Sequence, residues 1–311
     1  MKLPMSAIYG LENLPSEMKD SAVAVGVFDG VHWGHREIFR RLVETSSKSG
    51  ARSIALTFDK HPAELLAPAA APYYINTIDQ RIELIKSTGV DEVVVAEFNH
   101  ALAELTHEEF MYQILLDTLK AKHIVVGSNF RFGKERRGDI RYMAAEAPKL
   151  GIEISVVPAV IINGGPVSST RIRALISRGD VADATKLLGR RFTLRGIVVS
   201  GKQLGRKLGF PTANIQTNVR QIVPARGVYA VEAAVGKSVY SGVCNIGCNP
   251  TFGPGPETIE VHLMGFEADI YGETLDVIFC RRLRDEMVFE SPEKLVEQIR
   301  DDLDRAAGKC A

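Results

Sequence analysis

The sequence predicts two domains: an α/β domain with a parallel sheet over residues 1–187, and an antiparallel β-barrel with a terminal helix over residues 188–311. Up to about residue 188, short runs rich in Val and Ile alternate with amphipathic stretches, which is typical of a parallel sheet covered on both faces. After residue 190, strand-like runs are separated by Gly/Pro turns, as in antiparallel barrels. A last amphipathic stretch begins at Ser291, with Pro292 in its first turn, which predicts a capped helix.

Each element follows from these patterns in order. In the first domain we expect strands over Ala22–Val27, Ser53–Phe58, Glu92–Ala96, His123–Val126 and Ile152–Val157. We expect helices over His35–Ser47, Thr77–Thr88, Thr106–Leu119 and Ser168–Arg178, and a short helix ending near Leu188. The barrel strands are predicted over Arg191–Val199, Gly227–Val235, Ser238–Ile246, Thr258–Gly265 and Thr274–Phe279. Because ligands of parallel sheets bind at the carboxyl ends of the strands, the loops at 28–35, 57–62 and 127–138 should converge on one crevice.

Composition places the chain among ordinary globular proteins. Its 311 residues carry zero net charge, 45% hydrophobic and 24% charged residues. The absence of basic excess argues against a nucleic-acid partner, and no apolar run is long enough to span a membrane. Residues 1–10 lack a signal pattern, so we expect a cytoplasmic protein with its four cysteines reduced.

Cys244 and Cys248 could form half of a metal site, but without a second pair at zinc-like spacing they are better interpreted as buried small residues.

The most informative segment runs from Val25 to His35, where an apolar strand leads through Asp29-Gly30 to two histidines at a predicted helix start. A helix N-terminus carries roughly half a positive charge and unpaired backbone donors. The two histidines could be ordinary core or surface residues, two ligands of a metal, or groups that stabilise a reacting phosphate. The strand–loop–helix context favours a nucleotide site.

Two further segments of the first domain support a nucleotide site. Residues 127–134 form a glycine-flanked loop that interleaves phenylalanines with basic residues, which suits stacking on a planar ligand. Residues 168–173 open a helix with three hydroxyls and two guanidinium groups. One hydroxyl could be a simple N-cap, but the set is typical of phosphate ligands.

The predicted barrel carries a second candidate site. Glycines recur every four residues from Gly201 to Gly209, which is not a P-loop but suits a loop that covers phosphates. Thr212 and Asn214 follow a proline, and their oxygens suit Mg²⁺. Alternation along residues 258–263 places Thr258, Glu260 and His262 on one face of a strand, either toward solvent or in an active site.

With these motifs in hand, a resemblance is evident. The segments FDGVHWGH, NFRFG and SSTRIR resemble the nucleotidyltransferase superfamily, and together with PTAN and IEVH they resemble the bacterial bifunctional riboflavin kinase/FAD synthetases over nearly the whole chain. The resemblance implies a Rossmann-like nucleotidyltransferase domain that converts FMN to FAD with release of pyrophosphate. It also implies a riboflavin kinase domain that makes FMN. ATP is the co-substrate and Mg²⁺ the cofactor of both, and an oligomer is possible but not required.

The resemblance also implies roles for individual residues. His32 and His35 would stabilise the transition state at the α-phosphorus, and Glu260 would be the catalytic base of the kinase. Thr212 and Asn214 would bind Mg²⁺. Flavin would contact Asn129, Phe130, Arg284 and Glu286, with the loops Asn249–Phe252 and Arg284–Phe289 closing over it. ATP and its phosphates would be bound by Gly26, Phe28, Asp29, Gly34, Ser168, Ser169, Thr170, Arg171, Gly201, Gly205, Lys207 and Gly209.

The sequence departs from the family pattern at two positions, and two other functions compete with the one that the resemblance implies. Val27 stands where many relatives have Asn, and Lys60 precedes His61 where Pro is commoner; neither removes a reacting group. A nucleotidyltransferase with another acceptor would not explain the PTAN segment or Glu260. A flavin-binding module without catalysis would need neither a base nor a metal pair.

Overall fold

The computed structural model describes residues 7–16, 19–201, 204–218, 220–236, 238–248 and 257–307. The chain divides into two compact units. The first contains residues 1–72 and 78–168, and the second contains residues 73–77 and 169–311.

The first unit is a parallel six-stranded sheet with the strand order β1-β4-β3-β2-β5-β8. Its strands and hairpins are β1 (Ile8–Tyr9), β2 (Ser21–Val25), β3 (Arg52–Phe58), β4 (Glu92–Ala96), β5 (Ala121–Gly127), β6 (Arg131–Phe132), β7 (Gly138–Asp139), β8 (Glu153–Val157), β9 (Ile161–Ile162) and β10 (Gly165–Pro166). Its helices are α1 (Trp33–Ser49), α2 (Pro62–Leu66), α3 (Ile78–Lys86), α4 (His100–Glu104), α5 (His107–Glu109), which continues as a π-helix over Phe110–Thr118, and α6 (Ile140–Leu150).

Strand β2 shows why this sheet is covered on both faces. All five of its residues are buried, as a central parallel strand requires. Ala22 and Ala24 face a cluster that includes residues of α1 and α3, whereas Val23 and Val25 face a second cluster that includes residues of the π-helix and α6. The predicted doubly covered parallel sheet is therefore confirmed.

The second unit contains a closed antiparallel barrel with the strand order β11-β12-β15-β14-β13-β16. Its strands are β11 (Thr193–Val199), β12 (Ala213–Thr217), β13 (Gly227–Val235), β14 (Ser238–Gly247), β15 (Thr258–Leu263) and β16 (Thr274–Arg284). Its helices are α7 (Ser169–Ser177), α8 (Val181–Leu188), α9 (Leu204–Lys207) and α10 (Pro292–Ala307). The predicted barrel with a terminal helix is confirmed, and the backbone N–H of Lys294 donates to the Ser291 hydroxyl at 3.4 Å as the cap requires.

Several elements differ from the predicted ones, among them the helices α2, α4, α6 and α9, which were not predicted. Strands β1 and β12 were not expected, since β1 has two residues and β12 has a single large apolar residue, Ile215, at its centre. Strand β16 runs five residues beyond the predicted end at Phe279, because its basic end pairs with the start of β13 across two register shifts.

Residues 73–77 join the barrel unit through backbone hydrogen bonds. The N–H of Tyr74 donates to the carbonyl of Arg220 at 2.7 Å, and the N–H of Ile222 donates to the carbonyl of Tyr74 at 2.8 Å. The buried Asn76 accepts a hydrogen bond from Arg190 at 2.9 Å. The second unit thus includes a short segment that the sequence places among the α/β elements.

The cysteines are only partly as expected. Cys244 is buried and free, and Cys248 is free and half-buried. Cys280 is disulfide-bonded, so the expectation of four reduced cysteines is wrong for this residue. Cys310 lies outside the described residues. In the described part of the chain, no helix is long and apolar enough to cross a bilayer.

Candidate active sites

The first candidate site lies at the carboxyl ends of β2 and β5, which are neighbours at the centre of the sheet. Strand β2 is followed by the loop that enters α1, and β5 is followed by the loop of residues 128–130. Ligands of open parallel sheets bind where neighbouring strands connect to opposite sides, and β2 and β5 meet that condition.

The two histidines form a compact pair at the start of α1. His32 is the N-cap, and its Nδ1 accepts a hydrogen bond from the backbone N–H of His35 at 3.4 Å. The two imidazole rings stack with centroids 3.7 Å apart, and His35 also meets the edge of Phe28 at 5.3 Å. His32 is 5% exposed. The positive end of α1 and two imidazoles are thus concentrated at one point, which suits an anion.

The loop before this pair has an unusual backbone. Phe28 has φ 50° and Val31 has φ 38°, a region that non-glycine residues rarely adopt, and both side chains are buried. Asp29, between them, is also buried. A Cβ on Gly26 would lie 2.9 Å from the Phe28 ring, and a Cβ on Gly34 would lie 3.2 Å from the His32 ring. Both glycines therefore leave room for the aromatic rings to fold back over the backbone.

The loop after β5 separates the two phenylalanines that the sequence grouped together. Phe132 is buried in the core and stacks on Phe130 at 5.4 Å, so it is structural. Phe130 is half-buried and Asn129 is exposed, with Asn129 Oδ1 3.5 Å from the position of a Cβ on Gly127. Both residues predicted to contact the flavin, Asn129 and Phe130, therefore remain accessible to a ligand.

The serine-rich motif lies at the start of α7. Ser168 ends the first unit, and Ser169, Thr170 and Arg171 begin the second. Ser168, Ser169 and Arg171 are half-buried, and Thr170 is exposed. Within the first unit, the carbonyl of Val167 lies 4.0 Å from the position of a Cβ on Gly34, which brings the residue before Ser168 to the start of α1.

The second candidate site is centred on Glu260 in β15. Across the ladder, Glu260 pairs with Asn214 of β12 on one side and with Asn245 of β14 on the other. The hydroxyl of Thr212 donates to Glu260 Oε2 at 3.5 Å, and that of Thr258 donates to Oε1 at 3.3 Å. The Glu260 carboxylate thus accepts hydrogen bonds from two hydroxyl groups, one on each of its oxygens.

The glycine loop contacts the same residues. A Cβ on Gly201 would lie 2.5 Å from Cγ of Asn214, and one on Gly205 would lie 3.3 Å from the Thr212 hydroxyl. Gly209 has φ +87° and closes the turn after α9. Lys207 is the last residue of α9. The glycine spacing therefore lets the loop backbone lie directly against Thr212 and Asn214; Lys202 and Gln203 lie outside the described residues.

A cavity of about 140 Å³ opens beside Glu260. It is lined mainly by apolar side chains of the barrel and of α10, with Asn245, Glu260, Arg284 and Glu286 among its polar groups. Arg284 is held by the buried Asp302 of α10, with Nη2–Oδ2 at 2.7 Å and Nε–Oδ2 at 3.0 Å. A Cβ on Gly247 would lie 2.6 Å from Glu286 Oε2, so this carboxylate rests on the backbone of β14. The predicted loop 249–252 lies outside the described residues.

The charge of Glu260 affects the pKa of a neighbouring thiol, that of Cys244. Cys244 lies on β14, opposite Val261 of β15. Complete burial, and secondarily the charge of Glu260, raise the pKa of the Cys244 thiol far above its usual range. This thiol is therefore a neutral packing group. In the described part of the chain, no three His, Cys, Asp or Glu side chains come together as a metal site.

Sequence reasoning missed Asn245 and Asp302. Asn245 lies near the end of β14 between Cys244 and Ile246, and only its pairing with Glu260 distinguishes it. Asp302 had a usable signal, because it follows Leu295 and Ile299 on the apolar stripe of α10, where a charged residue needs a buried partner.

Comparisons with known proteins match both parts of the chain to described families. A family model described as FAD synthetase matches residues 14–171, and one described as riboflavin kinase matches residues 188–309. A bifunctional riboflavin kinase/FMN adenylyltransferase from Pseudomonas fluorescens is 37% identical, covering 99% of this chain and 98% of its own. Its counterpart in Escherichia coli K12 is 35% identical, covering 96% of each chain.

A solved structure is similar over almost the whole chain. The crystal structure of a protein described as a macrolide-efflux protein from Streptococcus pneumoniae superposes with a TM-score of 0.84 at 34% identity. The match covers 97% of this chain and 99% of that one. The transport activity in that description belongs to that protein, whereas the two family models and the curated relatives agree on two enzymatic activities.

Proposed function

The chain belongs to the family of bifunctional riboflavin kinase/FMN adenylyltransferases, and on that premise we propose how its residues divide the two reactions. The enzyme phosphorylates riboflavin to FMN with ATP, and it transfers AMP from ATP to FMN, giving FAD and pyrophosphate. The proposed modules are residues 1–187 and 188–311, supported by the start of the riboflavin kinase match at residue 188.

The first module would carry out adenylyl transfer by positioning and charge stabilisation. An FMN phosphate oxygen attacks the α-phosphorus of ATP, and pyrophosphate leaves with the electron pair of the broken P–O bond. Negative charge on the transferring group would be stabilised by His32, His35 and the N-terminus of α1, supported by the ring stacking at 3.7 Å.

The remaining ligands of this module follow from where they lie. Ser168, Ser169, Thr170 and Arg171 would hold the departing phosphates, since hydroxyls and a guanidinium at a helix start suit an anion. Gly26, Phe28, Asp29 and Gly34 would shape the ATP site. Asn129 and Phe130 would contact the flavin from the loop after β5.

The second module would use Glu260 as its general base. Its carboxylate would take the proton of the riboflavin 5′-hydroxyl as that oxygen attacks the γ-phosphorus, and ADP leaves. The observation that carries this assignment is the carboxylate's position at the cavity between Asn214 and Asn245, in hydrogen-bond reach of Thr212. Arg284 and Glu286 would contact the flavin from the cavity wall.

The residues near Glu260 fit Mg²⁺. The ion prefers oxygen ligands and keeps several waters, so one hydroxyl and one amide oxygen beside substrate phosphates suffice. Thr212 and Asn214 would supply these oxygens, and the glycines Gly201 and Gly205 let the loop backbone approach them. Gly209 and Lys207 would complete the phosphate cover. When bound, Mg²⁺ neutralises charge on the phosphates of ATP.

We place this enzyme in the cytoplasm, where ATP and flavin are available together. Separation of cell fractions, with FAD formation followed in each, tests that location. Activity confined to a membrane or extracellular fraction contradicts it.

Chromatography of flavins tests the division of labour. Purified wild-type protein with riboflavin, ATP and Mg²⁺ should yield FMN and then FAD. His35→Ala should accumulate FMN, with adenylylation slowed about 10²–10³-fold. Glu260→Gln should still convert added FMN to FAD but should phosphorylate riboflavin about 10²–10⁴-fold more slowly.

Each variant is the control for the other, because it leaves the other module intact. Loss of both activities in either variant would mean that the mutation unfolds the chain. Normal FAD formation by His35→Ala would remove that histidine from the reaction, and normal FMN formation by Glu260→Gln would remove the proposed base.

A further inference from the structure

A buried hydrogen-bond relay lies beneath the first candidate site. The Thr57 hydroxyl, at the end of β3, donates to the carbonyl of Val27 at 3.0 Å. Arg81 of α3 donates from Nη1 to the Thr57 hydroxyl at 3.4 Å and to the carbonyl of Phe58 at 2.9 Å. Thr57 is 0% and Arg81 1% exposed, so neither side chain reaches a bound substrate. A residue of helix α3 and one of strand β3 are thereby tied to the carbonyl from which the loop after β2 departs.

This relay holds the loop with the unusual backbone. Phe28, directly after Val27, and Val31 both have positive φ, a conformation that is unfavourable for non-glycine residues and persists only where the surroundings enforce it. Phe28 meets His35 edge-on at 5.3 Å. A displacement of Val27 is therefore passed through Phe28 to the histidine pair.

Hydrogen-bond chemistry makes Thr57 the central member. A hydroxyl has one proton and two acceptor sites. The N–H of Arg81 occupies an acceptor site, so the Thr57 proton is directed to the Val27 carbonyl. Valine has nearly the same shape as threonine but cannot make either bond, whereas serine can make both.

We infer that Thr57 is a positioning residue for adenylyl transfer, whose hydroxyl, oriented by Arg81, holds the loop that places His32 and His35. The inference rests on the proposed function of the histidine pair. Thr57 itself touches no substrate and acts through the loop.

The same strand offers a matched control at its other end. Ser53 is 1% exposed, its hydroxyl donates to Asp91 Oδ2 at 2.7 Å, and it accepts from the backbone N–H of Asp91 at 2.9 Å. Ser53→Ala thus removes a buried, doubly bonded hydroxyl from β3 at the end away from the candidate site.

The experiment compares full-length Thr57→Val, Thr57→Ser and Ser53→Ala with the wild type. The rates of FMN adenylylation and riboflavin phosphorylation are measured on the same preparations, and the imidazole signals of ¹³C-labelled histidine are followed by NMR. Thr57→Val should lower kcat for adenylylation about 10–100-fold, as misplacement of reacting groups does, with KM for ATP and the kinase rate nearly unchanged. The His32 and His35 signals should move. Thr57→Ser should restore both readouts, and Ser53→Ala should lower thermal stability without changing either.

Three results would overturn the inference: wild-type kcat in Thr57→Val, equal losses in the Val and Ser variants, or unmoved histidine signals. Failure of the proposed function looks different. If the wild type itself forms no FAD from FMN, that function is wrong, and the histidine signals alone then decide whether the relay positions the loop.

Discussion

Replacing Asp302 by Asn tests whether α10 is part of the kinase site. The change keeps the side-chain shape and removes the charge that pairs with Arg284. The Asp302 side chain is 3% exposed and that of Arg284 15%, so solvent screens this pair poorly. Breaking a buried pair by removing one partner costs about 3–5 kcal/mol, because the other charge stays buried without compensation. For a unit of this size, each kcal/mol lowers Tm by about 2–4 °C, so we expect a decrease of about 10 °C for the barrel unit.

The neighbouring residue supplies the control. Asp301 lies next to Asp302 on α10 but is exposed, and its ion pair with Arg305 spans 3.6 Å with both side chains about half exposed. An exposed pair contributes at most about 1 kcal/mol, so Asp301→Asn should change Tm little.

Calorimetry of both full-length variants measures the barrel transition, while fluorescence of Trp33, the single tryptophan, reports on the first unit. The Asp302→Asn variant should also raise KM for riboflavin, because Arg284 lines the cavity beside Glu260. Equal decreases in Tm for the two substitutions would refute this reasoning. So would a decrease in Tm that appears only in the Trp33 fluorescence, because that signal follows the first unit.

Three further predictions use the same assays. Gly201→Ala places a methyl group against the Asn214 amide, so kcat/KM for MgATP in the kinase reaction should fall at least about tenfold. An unchanged kcat/KM would show that the loop backbone does not need to lie against the proposed Mg²⁺ ligands. Leu187→Ala removes a buried side chain from α8, which packs on β16. The free energy of unfolding of the barrel unit should therefore fall by about 2–5 kcal/mol, while the unfolding followed by Trp33 fluorescence is unchanged. Burial raises the pKa of the Cys244 thiol, so at pH 8 a thiol reagent should modify Cys248 in the native protein and reach Cys244 only after unfolding; rapid labelling of Cys244 would contradict its burial.

The fold was predictable where burial follows a simple period. Strand β4 has the predicted bounds, and so does β13, because each is bounded by polar or turn residues on both sides. Strand β12 was missed because its single buried residue, Ile215, gives no alternation. The π-helix after α5 was predicted only as helix, since the spacing of apolar residues does not distinguish i→i+4 from i→i+5 hydrogen bonds.

The candidate sites were predictable where the functional residues lie close together in the sequence. His32 and His35 are three residues apart and share one helix start, so their proximity follows from the chain itself. Glu260 could be placed on a strand face, but the sequence left open whether that face met solvent or Asn214 and Asn245.

Positioning residues escape sequence reasoning because they are ordinary residue types whose meaning depends on distant partners. Thr57 acts on a carbonyl 30 residues away, and Arg81 reaches it across 24 residues. Either residue alone would be interpreted as a polar side chain near the end of a strand or on a helix, yet both are buried, and burial of polar groups requires partners. A charged residue on the apolar stripe of a helix, such as Asp302, is therefore the part of such a network that a sequence can reveal. The identity of its partner has to come from the fold.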